Sequence, residues 1–386
     1  MGNIFKAFLN SNLKPSNYNY NKVKNILILC PYPQGIAAGQ RFKYEQYFSS
    51  WEKHGYNIEV SSFFDMKTWD VLYAESNYFL KIIGTLKGYL RRIRDIFVLK
   101  NYEIIYIFMW VTPLGSTLFE RLVRKFSENL VYDFDDAIFL DNTDKFNSTN
   151  VNLVRNSNTK KSRFLISSSN HVILSSPFHL DYCKQLNINH SATYIPCSID
   201  TNRLTTKKTD DTNKKIVLGW TGTFSSIILL DLLKDILIEL NKTEQFKVLL
   251  ITNFDYSFPG IDMDIIRWDK ESEVEDLHKI DIGLYPLSRN KWALGKGGLK
   301  VLQYMSIGIP SVATNFGTAI HIMENGETGF LVDGKDEWIS VLKKLINNKE
   351  LRERIGKNAR DQVVKNYSVE KIQSKYLEVL DSLSSW

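Results

Sequence analysis

Residues 281–338 constrain the fold of this chain more than any other stretch. A short apolar run, Asp281-Ile282-Gly283-Leu284-Tyr285, leads to a glycine turn, Gly295-Lys296-Gly297-Gly298. An amphipathic segment over 298–307 follows, stops at Gly308 and gives way to a second apolar run, Ile309-Pro310-Ser311-Val312-Ala313. Strand, loop, helix and strand in this order predict a parallel crossover. Glycines at the start of the helix let backbone N–H groups approach an anion, and the helix dipole favours negative charge there. The stretch reads as a pocket for an anionic nucleotide.

The same alternation runs through the chain. Strands are predicted at 24–31, 57–63, 103–111, 129–134, 171–176 and 193–197, with helices at 41–54 and about 114–127. A polar, charged stretch, 201–215, interrupts them and predicts a domain boundary. Beyond it strands are expected at 216–220, 246–252, 281–285 and 309–314, and helices at 226–240, 298–307 and 337–347. Two α/β units of similar size result, 1–200 and 201–365. Residues 366–386 read as a helical tail with Val369, Ile372, Tyr376 and Leu380 on one stripe.

Composition narrows the class. With 386 residues and 44% hydrophobic content the chain can fill two cores. Cys30, Cys183 and Cys197 lack metal-type spacing and fit free thiols in a reducing compartment. The opening, MGNIFKAFLNSNLKPSNYNYNK, is polar and lacks the apolar core of a secretory signal or the Ser/Thr of a myristoylation motif. No window approaches the roughly 18 uninterrupted apolar residues of a membrane span. The net charge of +6 sits wholly in the first half. Residues 1–200 hold 23 basic and 17 acidic residues, against 26 and 26 in the rest. This asymmetry points to an anionic partner or membrane surface for the first unit, or to solubility charge. Residues 79–100 mix Phe, Ile, Leu and Tyr with Lys81, Lys87, Arg91, Arg92, Arg94 and Lys100. That is the pattern of an interfacial helix, although a docked helix with a solvated face is the reading favoured for the segment taken alone.

Several motifs carry chemistry. Gly219-Trp220-Thr221-Gly222-Thr223 follows the first strand of the second unit and can cradle a diphosphate. Neither GxGxxG nor GxxxxGK[ST] occurs, which removes the sequence support for nicotinamide and P-loop chemistry. Lys296 and Lys300 stand near a helix start, where the macrodipole disfavours them unless an anion is present. Gln303 lies about one turn from Lys300, in reach of a ribose. Asp133, Asp135, Asp136 and Asp141 crowd the end of the 129–134 strand, where ligands of open α/β sheets bind. Asp133-Phe134-Asp135 also spells DxD, a divalent-cation pattern, or else one Asp caps a helix. Gly39 and Arg41 follow the first strand, and Arg41 can hold an acceptor phosphate or carboxylate or form a surface ion pair. The six histidines show no metal spacing, and no GxSxG elbow is present.

The segments IVLGWTGTFSS, DIGLYPLSRNKWALGKGGLKVLQYMSIGIPSVATNFGT, NGETGFLVDGKDEW and LRERIGKNARDQVVKNYS, together with VYDFDDAIF at 131–139, resemble glycosyltransferase family 4. The resemblance implies a GT-B fold, in which two Rossmann-like domains face each other across a cleft. Residues 1–200 would bind the acceptor, 201–365 the nucleotide sugar, and 366–386 would pack back on the first domain. Gly222 and Thr223 would meet the donor diphosphate, Lys296 and Lys300 the phosphate and sugar, Gln303 the ribose, and Gly317 and Thr318 the transferred sugar. The sequence departs from the family at the Glu-x7-Glu motif, with Gly295 and Gln303 in place of the two glutamates. DFDD replaces a histidine found in many members, with Asp135 the nearest counterpart.

Family members retain anomeric configuration, so the departing phosphate can take the acceptor proton. The implied enzyme is metal-independent and needs no cofactor beyond a UDP- or GDP-linked sugar. Lys296 would stabilise the leaving group, and Asp135 or Asp136 would orient the acceptor hydroxyl. The expected acceptor is a lipid-linked glycan or oligosaccharide of a surface polysaccharide such as lipopolysaccharide or capsule. The expected place is the cytoplasm, on the inner face of an anionic membrane, with no nucleic acid partner. An epimerase or hydrolase on the same fold, and a non-catalytic glycan-binding relative, are the alternatives.

Overall fold

The structure is a computed structural model. It describes residues 23–383 apart from 73, 75, 141–148, 208–214 and 224–225, with backbone alone for 149–158. The polar opening, Asp141 and much of the 201–215 stretch therefore lie outside the described residues.

Twelve strands among the described residues form two parallel sheets. The first contains Lys24–Cys30 (β1), Tyr56–Ser62 (β2), Ile104–Phe108 (β3), Asn129–Phe134 (β4), His171–Leu174 (β5) and Ala192–Tyr194 (β6), in the order β2-β1-β3-β4-β5-β6. The second contains Ile216–Thr221 (β7), Phe246–Ile251 (β8), Met263–Ile266 (β9), Ile282–Tyr285 (β10), Ser311–Thr314 (β11) and Phe330–Val332 (β12). Its order is β12-β11-β10-β7-β8-β9. Continuous apolar runs such as those of β1, β3 and β4 are buried on both faces, as helix-covered parallel strands must be. The order reverses between β1 and β3 in one sheet and between β7 and β10 in the other. Ligands of open α/β sheets bind at such switch points.

The helix predicted at 41–54 is broken into Ala38–Lys43, a tight turn at Glu45–Tyr47, and Phe48–Lys53. Tyr44 leaves helical geometry with φ −117°, and its ring packs 5.2 Å from Phe108 and 5.4 Å from Tyr106. Strands β9 and β12 and a helix at Lys349–Asn366 were not predicted.

The Tyr78–Val98 helix lies along the first sheet. Gly84 and Gly88 permit the approach: a Cβ at Gly88 would fall 2.5 Å from the Phe63 ring, and one at Gly84 2.2 Å from Thr68 Oγ1. Arg92 is not among its exposed basic residues. Its buried guanidinium donates to the carbonyls of Cys30, Ser61 and Val111 and pairs with Asp95 at 3.0 Å. A buried charge survives only with such partners.

The chain crosses between lobes twice, and the crossings touch. Ile199 N donates to Tyr367 O at 2.9 Å and Val369 N to Ile199 O at 3.0 Å. The Val369–Leu383 helix then covers the first sheet. Its Ile372, Tyr376, Leu377, Val379 and Leu380 join Ile26, Ile28, Tyr47, Trp51 and Tyr106 in one core.

A buried ion cluster ties the lobes together. Arg41 of the first lobe forks onto Glu273 of the second at 2.9 and 3.3 Å. Arg203 adds a contact of 2.8 Å to the same carboxylate, Trp268 Nε1 donates to it at 3.2 Å, and the Arg41 guanidinium lies 5.3 Å from the Trp268 ring centroid.

Two outcomes follow from these packings. Tyr376→Ala should lower unfolding stability by about 3–5 kcal/mol. Tyr376→Phe should not, because its buried hydroxyl has no partner among the described residues. Denaturant melts of the two variants check this. Glu273→Ala leaves buried Arg41 without its ion-pair partner, so small-angle scattering should show a larger radius of gyration than for the parent protein.

Candidate functional site

The site is assembled at the C-terminal ends of β4, β7 and β10. The Leu299–Ser306 helix starts at Gly298, whose φ is +75°. Tyr304 clamps this helix to the sheet. Its ring fills the space over Gly283, where a Cβ would lie 2.3 Å away, and its hydroxyl accepts from Thr221 N at 3.0 Å. The helix start is thereby fixed beside the loop after β7.

Two lysines converge there. The Lys300 ammonium lies 4.2 Å from the Trp220 ring centroid and 3.3 Å from Ser226 Oγ. A Cβ at Gly222 would come within 2.1 Å of Trp220 and 2.6 Å of Lys300 Nζ, so glycine is required at that position. Burial pushes the Lys300 ammonium well below the ordinary lysine range. Lys296 pushes it the same way, and Asp136 opposes. Lys296 Nζ sits 3.9 Å from the Trp292 ring centroid and 3.4 Å from Asp136 Oδ1. The aromatic faces attract the cations but carry no formal charge. The two ammonium groups thus repel each other with little carboxylate beside Lys300, and a bound anion would correct the imbalance.

The carboxylates come from the turn after β4. Asp136 has φ +55°, a backbone conformation that Asp tolerates better than most residues and that aims its side chain at Lys296. Burial pushes its carboxyl up, Lys296 pulls it down and Asp135 pushes it up again. Asp135 is held by Ser175, whose hydroxyl donates to Oδ1 at 2.6 Å, and by the Asp136 N–H at 3.1 Å. A Cβ at Gly39 would lie 3.7 Å from Asp135 Oδ2, so Gly39 borders this carboxylate.

Four further predicted residues belong to the second lobe. Thr318 is buried, and its hydroxyl has no partner among the described residues. Gly317, with φ +64°, turns the chain ahead of it. Gln303 is buried, one helical turn from Lys300. Thr223 accepts from the Ser226 N–H and hydroxyl, both at 2.9 Å, and so shapes the loop after β7.

Arg41 is placed elsewhere. Its guanidinium is taken up by Glu273 in the interlobe cluster. Of the two sequence readings of Arg41, the structure shows an ion pair, buried between the lobes rather than at the surface. Asp133 is also unavailable: it is fully buried, paired with Lys43 at 2.8 Å, and accepts from the Tyr106 hydroxyl. The DxD spelling therefore does not present both carboxylates to one cation. Among the described residues no group of three His, Cys, Asp or Glu side chains is arranged to hold a metal ion.

The cleft is closed at the 294–297 loop. The Ser176 hydroxyl donates to the Leu294 carbonyl. A Cβ at Gly295 would fall 2.4 Å from Ala137 N, and one at Gly297 2.8 Å from Cys197 Sγ. The backbone of the first lobe thus lies directly against Gly295. Sequence reasoning missed Ser175, Glu273, Trp220 and Trp292. The lysine four residues after Trp292 was the available signal for that ring. Glu273 had none, since its partner is 232 residues away.

Comparison with known proteins bears on the same region. Residues 262–362 match the family model for glycosyl transferases group 1. The capsular polysaccharide biosynthesis glycosyltransferase CapM of Staphylococcus aureus is 26% identical over 196 residues, 46% of this chain and 50% of CapM. The chain spans about half or less of the length of the curated relatives it matches. Among solved structures, sucrose-phosphate synthase from Thermosynechococcus elongatus superposes with a TM-score of 0.67 at 14% identity, covering 94% of this chain and 99% of that one. Anabaena HepE, solved with UDP-glucose, gives 0.61 at 14%, covering 93% and 99%. These likenesses and the two parallel sheets establish a GT-B fold of two Rossmann-like domains, its second lobe carrying the group 1 glycosyl transferase match.

Proposed function

We infer that the chain is a retaining glycosyltransferase of family 4 that moves a sugar from a UDP- or GDP-linked donor to a lipid-linked glycan in surface polysaccharide biosynthesis. The observation that carries this is the pair Lys296 and Lys300 at the start of the 299–306 helix, beside the glycine loop at Gly222. A diphosphate there would meet two ammonium groups, a helix N-terminus and backbone N–H groups at once. The UDP-glucose bound by HepE and the polysaccharide role named for CapM agree with that chemistry.

In this reading residues 201–365 bind the donor and 1–200 the acceptor. Gly222, Thr223, Lys296 and Lys300 hold the diphosphate, Gln303 reaches the ribose, and Gly317 and Thr318 contact the transferred sugar. Gln303 and Gly295 form a variant of the Glu-x7-Glu motif, with the Lys296 and Lys300 contacts taking over from the missing carboxylates. The leaving phosphate accepts the proton of the attacking hydroxyl on the same face, so the protein positions reactants and stabilises the developing charge. Asp135, oriented by Ser175, and Asp136 aim the acceptor hydroxyl and stabilise positive charge at the anomeric carbon. Gly39 leaves room for that acceptor. No metal is required. The enzyme works in the cytoplasm as a peripheral protein on an anionic membrane. No helix among the described residues is long and apolar enough to cross it.

Lys296→Ala should lower transfer by roughly 10²–10³-fold in a donor panel with a lipid-diphosphate acceptor, with the melting temperature unchanged. Undiminished transfer would remove Lys296 from the site. Donor turnover without acceptor would instead assign the chain to an epimerase or hydrolase. Lys300 adds a pH signature. Its ammonium is depressed in the free protein, and a neighbouring diphosphate would raise it again. Nucleotide binding should therefore take up protons and weaken as pH rises through the free value. Calorimetry in buffers of different ionisation enthalpy reads this uptake, and Lys300→Ala should abolish it.

A further inference from the structure

The geometry points to the outer face of the Tyr78–Val98 helix as a docking surface for an anionic lipid bilayer, placed so that the cleft opens at the lipid plane. This deepens the proposed function and rests on it for its purpose, although not for its physics.

Phe79, Ile82, Leu86, Leu90, Ile93 and Phe97 recur at spacings of three and four residues, which sets them on a single stripe parallel to the helix axis. All six are exposed, with Phe79 at 73%, Leu90 at 66% and Phe97 at 82%. The opposite face is the one that packs, through Gly84, Gly88, Arg92 and Asp95. An apolar stripe of this length facing water is costly and marks an interaction site. Exposed Lys87 and Arg94 border the stripe, and exposed Lys100 follows the last turn. The single acidic residue between Tyr78 and Lys100 is Asp95, which is buried. An apolar face with a basic border and no exposed acid on its own helix suits acyl chains beneath anionic headgroups.

Charge argues against other occupants. A second copy would bring a like-charged border to this one. Residues 1–22 contain Lys6, Lys14 and Lys22 and no acidic residue, so they offer no counter-charge either.

Position gives the surface its use. Arg92 bonds the carbonyls of Cys30, at the end of β1, and Val111, just past β3. The helical turns before Arg92 therefore run along the C-terminal edge of the first sheet. Asp135 and Gly39 lie on that same edge, after β4 and β1. A bilayer on the stripe would bring the lipid part of an acceptor to the first-lobe side of the cleft. Buried Arg92 belongs to the fold, so charge removal there would not test docking.

The experiment is co-sedimentation of the full chain with phosphatidylglycerol and with phosphatidylcholine vesicles, without donor or acceptor. The parent should bind the anionic vesicles in a salt-sensitive manner and the neutral ones far less. Ile82→Asn with Leu86→Gln and Leu90→Gln should weaken that binding at least tenfold. Lys87→Gln with Arg94→Gln should weaken it on anionic vesicles only. Both sets alter exposed side chains, and an unchanged melting curve verifies their folding. Absence of vesicle binding, or equal binding by the triple variant, overturns the proposal. So does a concentration-dependent dimer that the triple variant abolishes, which would assign the face to a second copy. Because no nucleotide is present, this result stands apart from that of the Lys296 assay.

Discussion

The contact on which the site depends is the backbone approach of the two lobes at the 294–297 loop. Gly295 meets Ala137 and Gly297 meets Cys197 at distances that no side chain would tolerate. That approach puts Lys296 against Asp136 and brings the second lobe's helix start opposite the first lobe's carboxylates. The fork of Arg41 on Glu273 holds the same closure at a second point. Neither lobe alone presents both charges, so the arrangement belongs to the closed pair rather than to either sheet.

Electrostatics then divide the labour. Asp133 and Arg92 are charges spent on the fold, each enclosed with its own partners. Lys296, Lys300 and Asp136 stand at the interface with less compensation, and Lys300 rests partly on the indole of Trp220. The shifted groups Lys300 and Asp136, together with the unpartnered buried hydroxyl of Thr318, make this region the candidate site. The sequence already placed those lysines at a helix start, where they are unfavourable without a ligand.

Much of the architecture was legible because buried parallel strands leave continuous apolar runs. β1, β3, β4 and β8 each do so. β9 was missed because it has four residues, none of them buried, and carries Asp264 in its middle. The Lys349–Asn366 helix was missed because just Ile355, Gly356, Ala359 and Val363 are buried along its eighteen residues. Lys296, Lys300, Gly222 and Asp136, which the structure brings together, stand in glycine and charge patterns that are local in the sequence. The partner of Arg41 was not legible because it lies in the other lobe, and no local pattern reports a contact between distant segments. The contact of Gly295 with Ala137 likewise joins residues far apart in the chain.

The return of the Val369–Leu383 helix to the first sheet has a consequence for the order of folding. The face formed by Ile26, Ile28, Tyr47, Trp51 and Tyr106 is covered by the last helix of the described chain. During synthesis the first lobe emerges early, yet its cover arrives after the whole second lobe has been made. Its core is open to water, and to other nascent chains, for all of that interval. The two lobes are separate in space but not in biogenesis, and shortening the chain at its far end would strike the lobe that was made first.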